Sequence, residues 1–482
     1  MRSFKFVAVY TALVVLLFGL ASVAVRAEDG HPLRVGAAKV DITPSQLHNL
    51  NSFGGDFKDV HDPIFARALV MDNSVNIVAI VSIDSAEIGD TTSLRQRIEN
   101  ELGIPVDHIL ITATHDHNAP RVGAVTPGGI AHGSTQETDA NTVVVNDKIV
   151  KSVKQAKAAL QPARFALATG RADININRDQ YTEADGWFMG YNPDGPSDKT
   201  VWVMKFETPS ADPIAILFNY GVHSTAVIGT GELSGDIGGA AAHYVESRYN
   251  NKIVALYTIG PAGDQNPKVS GSNLEASPSQ RRARGAGTQG GPGGPGGPGG
   301  PGGPGAQGGP SGPPPASPAT SGPSPQSNMD EAFQIMDALG LMVGSEVVRV
   351  ANGMEDLSST ARIEAGEKIV SCPIKTGVNQ MGDLKQAAVT SSNLHLSLIL
   401  INNIAITGVS GEVVTPIWLH LKAASPLKDT MMITLANDRI GYIADDASYD
   451  TPKFEVNGTP LARGCAEPGI VNGLVELIKQ KM

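Results

Sequence analysis

Cysteine, aromatic side chains and basic charge are all scarce in this chain. Two cysteines in 482 residues, Cys372 and Cys465, exclude a disulfide framework and a Cys-rich metal cluster. Lys and Arg number 37 against 48 Asp and Glu, a formal charge of −11, which leaves no electrostatic footprint for nucleic acid or anionic lipid heads. Aromatics make up only 5%, but 41% of the residues are hydrophobic, enough for a real core, so wholesale disorder is excluded. Beyond the first two dozen residues no apolar run reaches the ~20 residues a membrane span needs.

The N-terminus carries the one long apolar run. Arg2 and Lys5 precede an almost wholly apolar Phe6–Val23, and Val25-Arg26-Ala27 offers small residues where signal peptidase reads them. This is the pattern of a secretory signal, residues 1–27, cleaved after Ala27; an uncleaved anchor is the competing reading. Removing its three basic residues leaves 34 against 48 acids, a charge near −14. The expected mature protein is secreted or periplasmic, with at most peripheral membrane contact. In an oxidising compartment Cys372 and Cys465 are able to pair, but their spacing does not decide whether they do.

Much of the glycine and proline, 54 and 32 residues, sits in one tract. From about 277 to 328 the chain is Gly, Pro, Ser, Ala and Gln, with a Gly-Gly-Pro repeat over Gly290–Gly305. Such a stretch buries too little apolar surface to offset chain entropy and is expected to be a disordered insertion. Motifs fall on both sides of it, so residues 28–482 are expected to form a single domain that carries it as a loop.

Around the insertion, short apolar runs alternate with helical patterns. Strand-like runs include Ala66–Met71, Val75–Ile83, His108–Ala113, Pro213–Asn219, Ile253–Thr258, Leu394–Ile401 and Ile404–Val409. Helical periodicity fits Thr92–Leu102, Asn146–Leu160, Gly238–Tyr249, Asp330–Ala351, Glu412–Lys422 and Ile470–Gln480. The nearly continuous apolar runs suit strands covered on both faces, which predicts an α/β fold of mixed sheets flanked by helices.

Four polar islands interrupt these strands at their ends, where α/β folds place sites. Thr114-His115-Asp116-His117-Asn118 follows Ile109–Ala113. On an extended segment His115 and His117 point the same way, and imidazole is both a common metal ligand and a base near neutral pH. His223 ends the strand Ile214–Tyr220; a lone histidine is more often a satisfied structural residue. Ser410-Gly411-Glu412 follows Ile404–Val409, and Glu412 also suits a helix start. Gly441-Tyr442 follows Met431–Ala436, where a buried tyrosine with a satisfied hydroxyl is the plain reading. Gly263-Asp264-Gln265-Asn266-Pro267 is a turn signal, and Asn177-Arg178 precedes a loop. A metallo-β-lactamase-like pattern would need Asp and His at Ala119 and Pro120, and an amidohydrolase barrel would carry its His-x-His on the first strand, so neither fits.

Taken in order, the islands resemble the neutral, non-lysosomal ceramidases. Val35–Pro44 is similar to the family's opening strand, Thr114–Pro120 to its Thr-His-Thr-His-Ser-x-Pro, and Asn175–Arg178 with Tyr191-Asn192-Pro193 to its Asn-Arg and Asn-Pro elements. Val222–Thr225 resembles Val-His-Pro-Thr, Ser234–Asp236 a Ser-x-Asp, Gly263–Pro267 Gly-Asp-Val-Ser-Pro, Gly411-Glu412 Pro-Gly-Glu-Phe, and Gly441–Ile443 Gly-Tyr-Val-Thr-Thr. The resemblance implies Zn2+ on His115, His223, Glu412 and Tyr442, with His117 and Arg178 catalytic and Asp264 and Asn266 in the site. Asp84 and Asp264 are then expected to orient the ligand histidines. It implies hydrolysis of an amide in a small-molecule or lipid-like N-acyl amine. The alternatives are an esterase or lactonase on the same site, or a non-catalytic binding protein. Two departures stand out: Asn266 occupies the position of the family's serine and is no nucleophile, and with forty residues after Tyr442 no C-terminal immunoglobulin-like domain is expected.

Overall fold

The computed structural model describes residues 30–123, 135–270, 325–375 and 390–482. The signal segment and most of the Gly/Pro tract lie outside them. The helix Pro325–Asn352 begins four residues inside the stretch read as insertion.

Three larger sheets make up the body, and each holds one parallel pair of strands. In the first, ordered Ile109–Ala113, Ile77–Ile83, Phe65–Asp72, Arg34–Asp41 and Gln161–Pro162, the first two strands run parallel. In the second, Val254–Ile259 runs parallel to Pro213–Tyr220, and Thr200–Glu207 and Arg164–Arg171 follow antiparallel. In the third, Asp429–Ile433 runs parallel to Ile404–Val409, beside Ser391–Ile401 and Ile363–Pro373. A helix connects each parallel pair: Thr92–Leu102, Asp236–Arg248 and Thr415–Ala424 respectively. Each sheet therefore contains one βαβ crossover, the connection that parallel strands require.

The strands of these units are buried end to end, as in Ile109–Ala113 and Ile404–Val409. Both faces are covered, so their sequences are continuous apolar runs instead of alternating ones. Where their carboxyl ends meet, side chains and backbone tie sheet to sheet. Asn437 Oδ1 accepts from Ile111 N at 2.8 Å, Thr434 N donates to Ile259 O at 3.0 Å, and Asn219 Nδ2 donates to Met432 O at 3.2 Å.

Sequence and structure part company at several elements. The helix expected over Asn146–Leu160 starts ten residues earlier, at Gln136, capped by Thr135. The helix expected from Glu412 starts at Thr415, and Glu412 lies instead in a two-residue strand paired with Tyr442. The hairpin Asn175–Thr182 with Gly186–Asn192 and the long strand Ile363–Pro373 were not foreseen. No described helix is long and apolar enough to cross a membrane.

Cys372 and Cys465 form a disulfide across 93 residues, joining the strand Ile363–Pro373 to the residue that precedes the terminal helix Ala466–Lys481. A loop of that length constrains the unfolded chain by about 4–5 kcal/mol in the chain-entropy picture. Urea unfolding of the Cys372→Ser/Cys465→Ser protein is expected to lose a large part of that amount. An unchanged midpoint would show the link to be energetically idle.

Candidate active site

Each of the three sheets delivers one histidine or carboxylate to a common point at the carboxyl ends of its strands. His115 follows the strand Ile109–Ala113, His223 follows Pro213–Tyr220, and Glu412 follows Ile404–Val409. Tyr442 enters beside Glu412 through the parallel two-strand pairing of Glu412–Val413 with Tyr442–Ile443. That pairing brings two backbones close. A Cβ on Gly411 would stand 2.9 Å from Gly441 O, and Gly441 itself has φ +99°. The Gly before Glu412 and the Gly before Tyr442 are thus demanded by the geometry.

His115 has φ 58°, a strained value for a residue other than glycine. The chain therefore turns at His115, and His115 and His117 meet across a turn, not through the strand alternation expected from their spacing. Their rings lie 4.6 Å apart, and His115 and His223 4.4 Å apart. The donor atoms of His115, His117 and His223 all lie within 4.8 Å of one another.

His115 Nδ1 contacts Ala86 O at 2.9 Å, and His223 Nδ1 contacts Ala262 O at 2.8 Å. A carbonyl only accepts, so each ring carries a proton on Nδ1 and turns Nε2 toward the centre, where His223 Nε2 also meets Arg178 Nη1 at 3.2 Å and His115 Nε2 meets His117 Nε2 at 3.3 Å. Both Nε2 atoms converge on one atom. Glu412 Oε2 is 3.1 Å from His115 Nε2 and 3.6 Å from His223 Nε2. It is buried and makes no hydrogen bond of acceptable geometry. Lone pairs facing a carboxylate repel unless positive charge stands between them. Burial alone would raise the Glu412 carboxyl, but positive charge at His115, N–H contacts from His115 and His223, and Arg439 outweigh it and hold the group well below the usual carboxylate range. Burial, Arg178 and His115 push His223 down to about 3. Two imidazoles, one carboxylate and an adjacent phenol form an N/O donor set of the kind a divalent ion takes. Burial and the Glu412 charge push the Tyr442 phenol up, so it would ionise only against a cation.

His117 belongs to the same cluster, at its edge. It is only partly buried and stacks on Phe53 at 5.4 Å, with Nε2 3.3 Å from His115 Nε2. Burial and the neighbouring histidines hold it well below its usual value, so near neutral pH it is a free base. Arg178 lies on the far side, fully buried. Its Nε donates to Glu455 at 2.7 Å, and its Nη1 lies 3.2 Å from both His223 Nε2 and Asn266 Oδ1. Its Nη2 is buried with no hydrogen bond of acceptable geometry.

The two carboxylates expected to orient histidines do not do so. Asp84 is captured by Arg67 at 2.7 Å and by Phe65 N, under the first sheet. Asp264 accepts from Asn177 Nδ2 and from Thr415 N and Oγ1, while its main-chain oxygen accepts from Arg178 N. Carbonyls of Ala86 and Ala262 orient the rings instead, and Asp264 fixes the segment that presents Arg178. Sequence reading also missed Phe53, Glu455 and Arg439, whose guanidinium joins Glu87 at 2.7 Å and Glu412 Oε1 at 3.5 Å. Arg439 stands two residues before the Gly441-Tyr442 island; Phe53 and Glu455 carry no local signal.

The family model for neutral/alkaline non-lysosomal ceramidase, N-terminal, matches residues 33–291. Neutral ceramidase A of Dictyostelium discoideum is 26% identical over 275 residues, covering 51% of this chain and 37% of that protein. Neutral ceramidase of Pseudomonas aeruginosa is 27% identical over 284 residues, covering 54% and 41%. The matched stretch thus spans about two fifths of the length of these relatives. The crystal structure of neutral ceramidase from Pseudomonas aeruginosa superposes with a TM-score of 0.67 at 16% identity, over 94% of this chain and 75% of that one, which establishes a shared mixed α/β fold.

Proposed function

Because the chain belongs to the neutral/alkaline non-lysosomal ceramidase family, we propose that it is a secreted, zinc-dependent hydrolase of the amide bond in a lipid-like N-acyl amine of the ceramide kind. The observation that carries this reading is Glu412 Oε2, buried without a hydrogen bond and faced by two imidazole Nε2 atoms. His115, His223, Glu412 and Tyr442 would hold the ion. Zinc bound there supplies Lewis acidity toward the carbonyl and an acidified water.

The remaining work falls to this chain's own side chains. His117 takes a proton from the attacking water as the C–O bond forms, and returns it to the amine nitrogen as the C–N bond breaks. Its place at the partly exposed edge of the histidine cluster suits a group that shuttles protons. Arg178 offers Nη2 to the oxyanion that develops on the carbonyl. Asn266, in contact with Arg178, aims the guanidinium and contributes no nucleophile. Asp264 positions the Arg178 backbone. The whole of residues 28–482 is taken to act as one catalytic domain.

Elemental analysis of the purified protein tests the metal, and turnover of a matched amide and activated ester tests the bond. About one zinc per chain is expected. His117→Ala is expected to lower amide turnover by about 10²–10⁴-fold. It should lower ester turnover far less, because an activated alkoxide leaves without a proton. Equal losses on both substrates would remove His117 as the acid. A metal-free protein that binds amides tightly and turns none over would favour a binding role.

A further inference from the structure

Exposed aromatic residues flank the site on two sides. On one, Phe53 is 50% exposed and stacks on His117. On the other, contacts run outward from the centre. Tyr442 packs edge-on against Phe454 at 5.5 Å, with the Arg178 guanidinium over both rings. Its neighbour Lys453 lies over Trp187 at 5.1 Å, and Trp187 packs against Tyr181 at 5.4 Å. Tyr181 and Trp187 face each other across the hairpin Asn175–Thr182 with Gly186–Asn192, whose first strand carries Arg178 near its base. Tyr181 is 58% and Tyr191 40% exposed, and Trp187, Phe188 and Met189 are partly exposed. In a chain with 5% aromatics this concentration on one hairpin is out of proportion.

We infer that this hairpin, together with Phe53, docks the protein on a lipid surface and sets the mouth of the site against it. Tyrosine and tryptophan combine an apolar body with a polar tip, and they settle at the boundary between acyl chains and headgroups. The charges nearby select the kind of surface. Asp56 follows Phe53 by three residues, Glu183 and Asp185 lie in the turn of the hairpin and Asp194 just beyond it, and Lys453 is drawn toward Asp179 at 3.2 Å, so an anionic headgroup meets repulsion and a zwitterionic one does not. The inference deepens the proposed function, on which it rests: an N-acyl lipid amide is dissolved in membrane, and a docked mouth lets it enter without crossing water. The hairpin rooted at Arg178 links docking to the reacting centre through one continuous pair of strands.

The test uses the intact protein and phosphatidylcholine vesicles whose acyl chains are brominated. Of the three tryptophans, Trp202 and Trp418 are buried, so quenching by bromine reports Trp187. Vesicles are expected to quench the emission and to cosediment with the protein. Trp187→Phe should cosediment without quenching. Tyr181→Ser/Tyr191→Ser should weaken cosedimentation at least about tenfold, yet leave turnover of a short, water-soluble N-acyl amide unchanged. Cosedimentation that ignores the double substitution, or its absence in the native protein, would overturn the docking. So would self-association through the same tyrosines with no vesicle bound. Turnover of the soluble amide without vesicle binding would remove the docking and keep the hydrolase. Vesicle binding without turnover of any amide would do the reverse.

Discussion

Glu412→Gln is expected to empty the centre of metal while leaving the fold intact. The substitution changes one oxygen to an NH2 at a point where two imidazole Nε2 atoms converge, 3.1 and 3.6 Å away. In the proposed site the two imidazoles and the carboxylate would share one cation. In the variant, an amide N–H turned toward His115 Nε2 would satisfy the lone pair by itself, and the charge that would attract an ion is gone. Metal affinity should fall by well over about 10²-fold, since losing only an outer partner of a ligand already costs 10–100-fold. Turnover should fall with it. The stability signature is separate. Metal that binds only the folded state stabilises by about 4 kcal/mol at a thousand times its Kd, so a chelator should lower the native Tm and leave that of Glu412→Gln unmoved. A chelator-insensitive native protein that still hydrolyses amides would end the metal reading, whatever the variant did.

The parts of this site that could be read from the letters are those where a polar island ends an apolar run. Ile109–Ala113, Pro213–Tyr220 and Ile404–Val409 are buried on both faces, so their hydrophobicity is unbroken, and His115, His223 and Glu412 stand out against it. What the letters hide is geometry that rests on backbone. Carbonyls of Ala86 and Ala262 orient the two histidines, and a carbonyl leaves no mark on a sequence. An aspartate at the end of a strand or in a turn motif does, and Asp84 and Asp264, so placed, serve Arg67, Asn177 and Thr415. The strand that carries Arg178, Asn-Ile-Asn-Arg-Asp-Gln-Tyr-Thr, has buried polar residues and an exposed tyrosine, the inverse of the usual pattern, so periodicity passes over it. The helix Gln136–Ala158 was cut short for a similar reason. Its first turns are polar, and Val143 and Val144 lie on the exposed face, which blurs the apolar stripe.

Arg178 offers a way to separate holding the site together from acting in it. The guanidinium is fully buried, paired through Nε with Glu455, and spread over the rings of Tyr442 and Phe454. Arg178→Met removes both the donor proposed for the oxyanion and the partner of a buried carboxylate. Losing one member of a buried pair costs about 3–5 kcal/mol, most of it the penalty of the charge left behind. Glu455 has an escape: burial already raises its carboxyl well above the usual range, against the pull of Arg178, and without Arg178 it should take up a proton in the folded state. A raised carboxyl means that the folded state binds a proton the unfolded chain gives up near pH 4.3. Native protein and variant share the cost of that proton up to the native Glu455 value, so the extra deficit of Arg178→Met should be small in acid and grow only as pH rises beyond that value. Adding Glu455→Gln removes the stranded charge, so Arg178→Met/Glu455→Gln is expected to regain most of the lost stability at pH 7 and to lose the pH slope. Turnover should not follow. A donor that acts on developing charge is worth about 10²–10³-fold in kcat, and no repair at Glu455 replaces it. If kcat returned together with stability in the double variant, Arg178 would be a brace for Tyr442 and Asn266, and the oxyanion would need another donor.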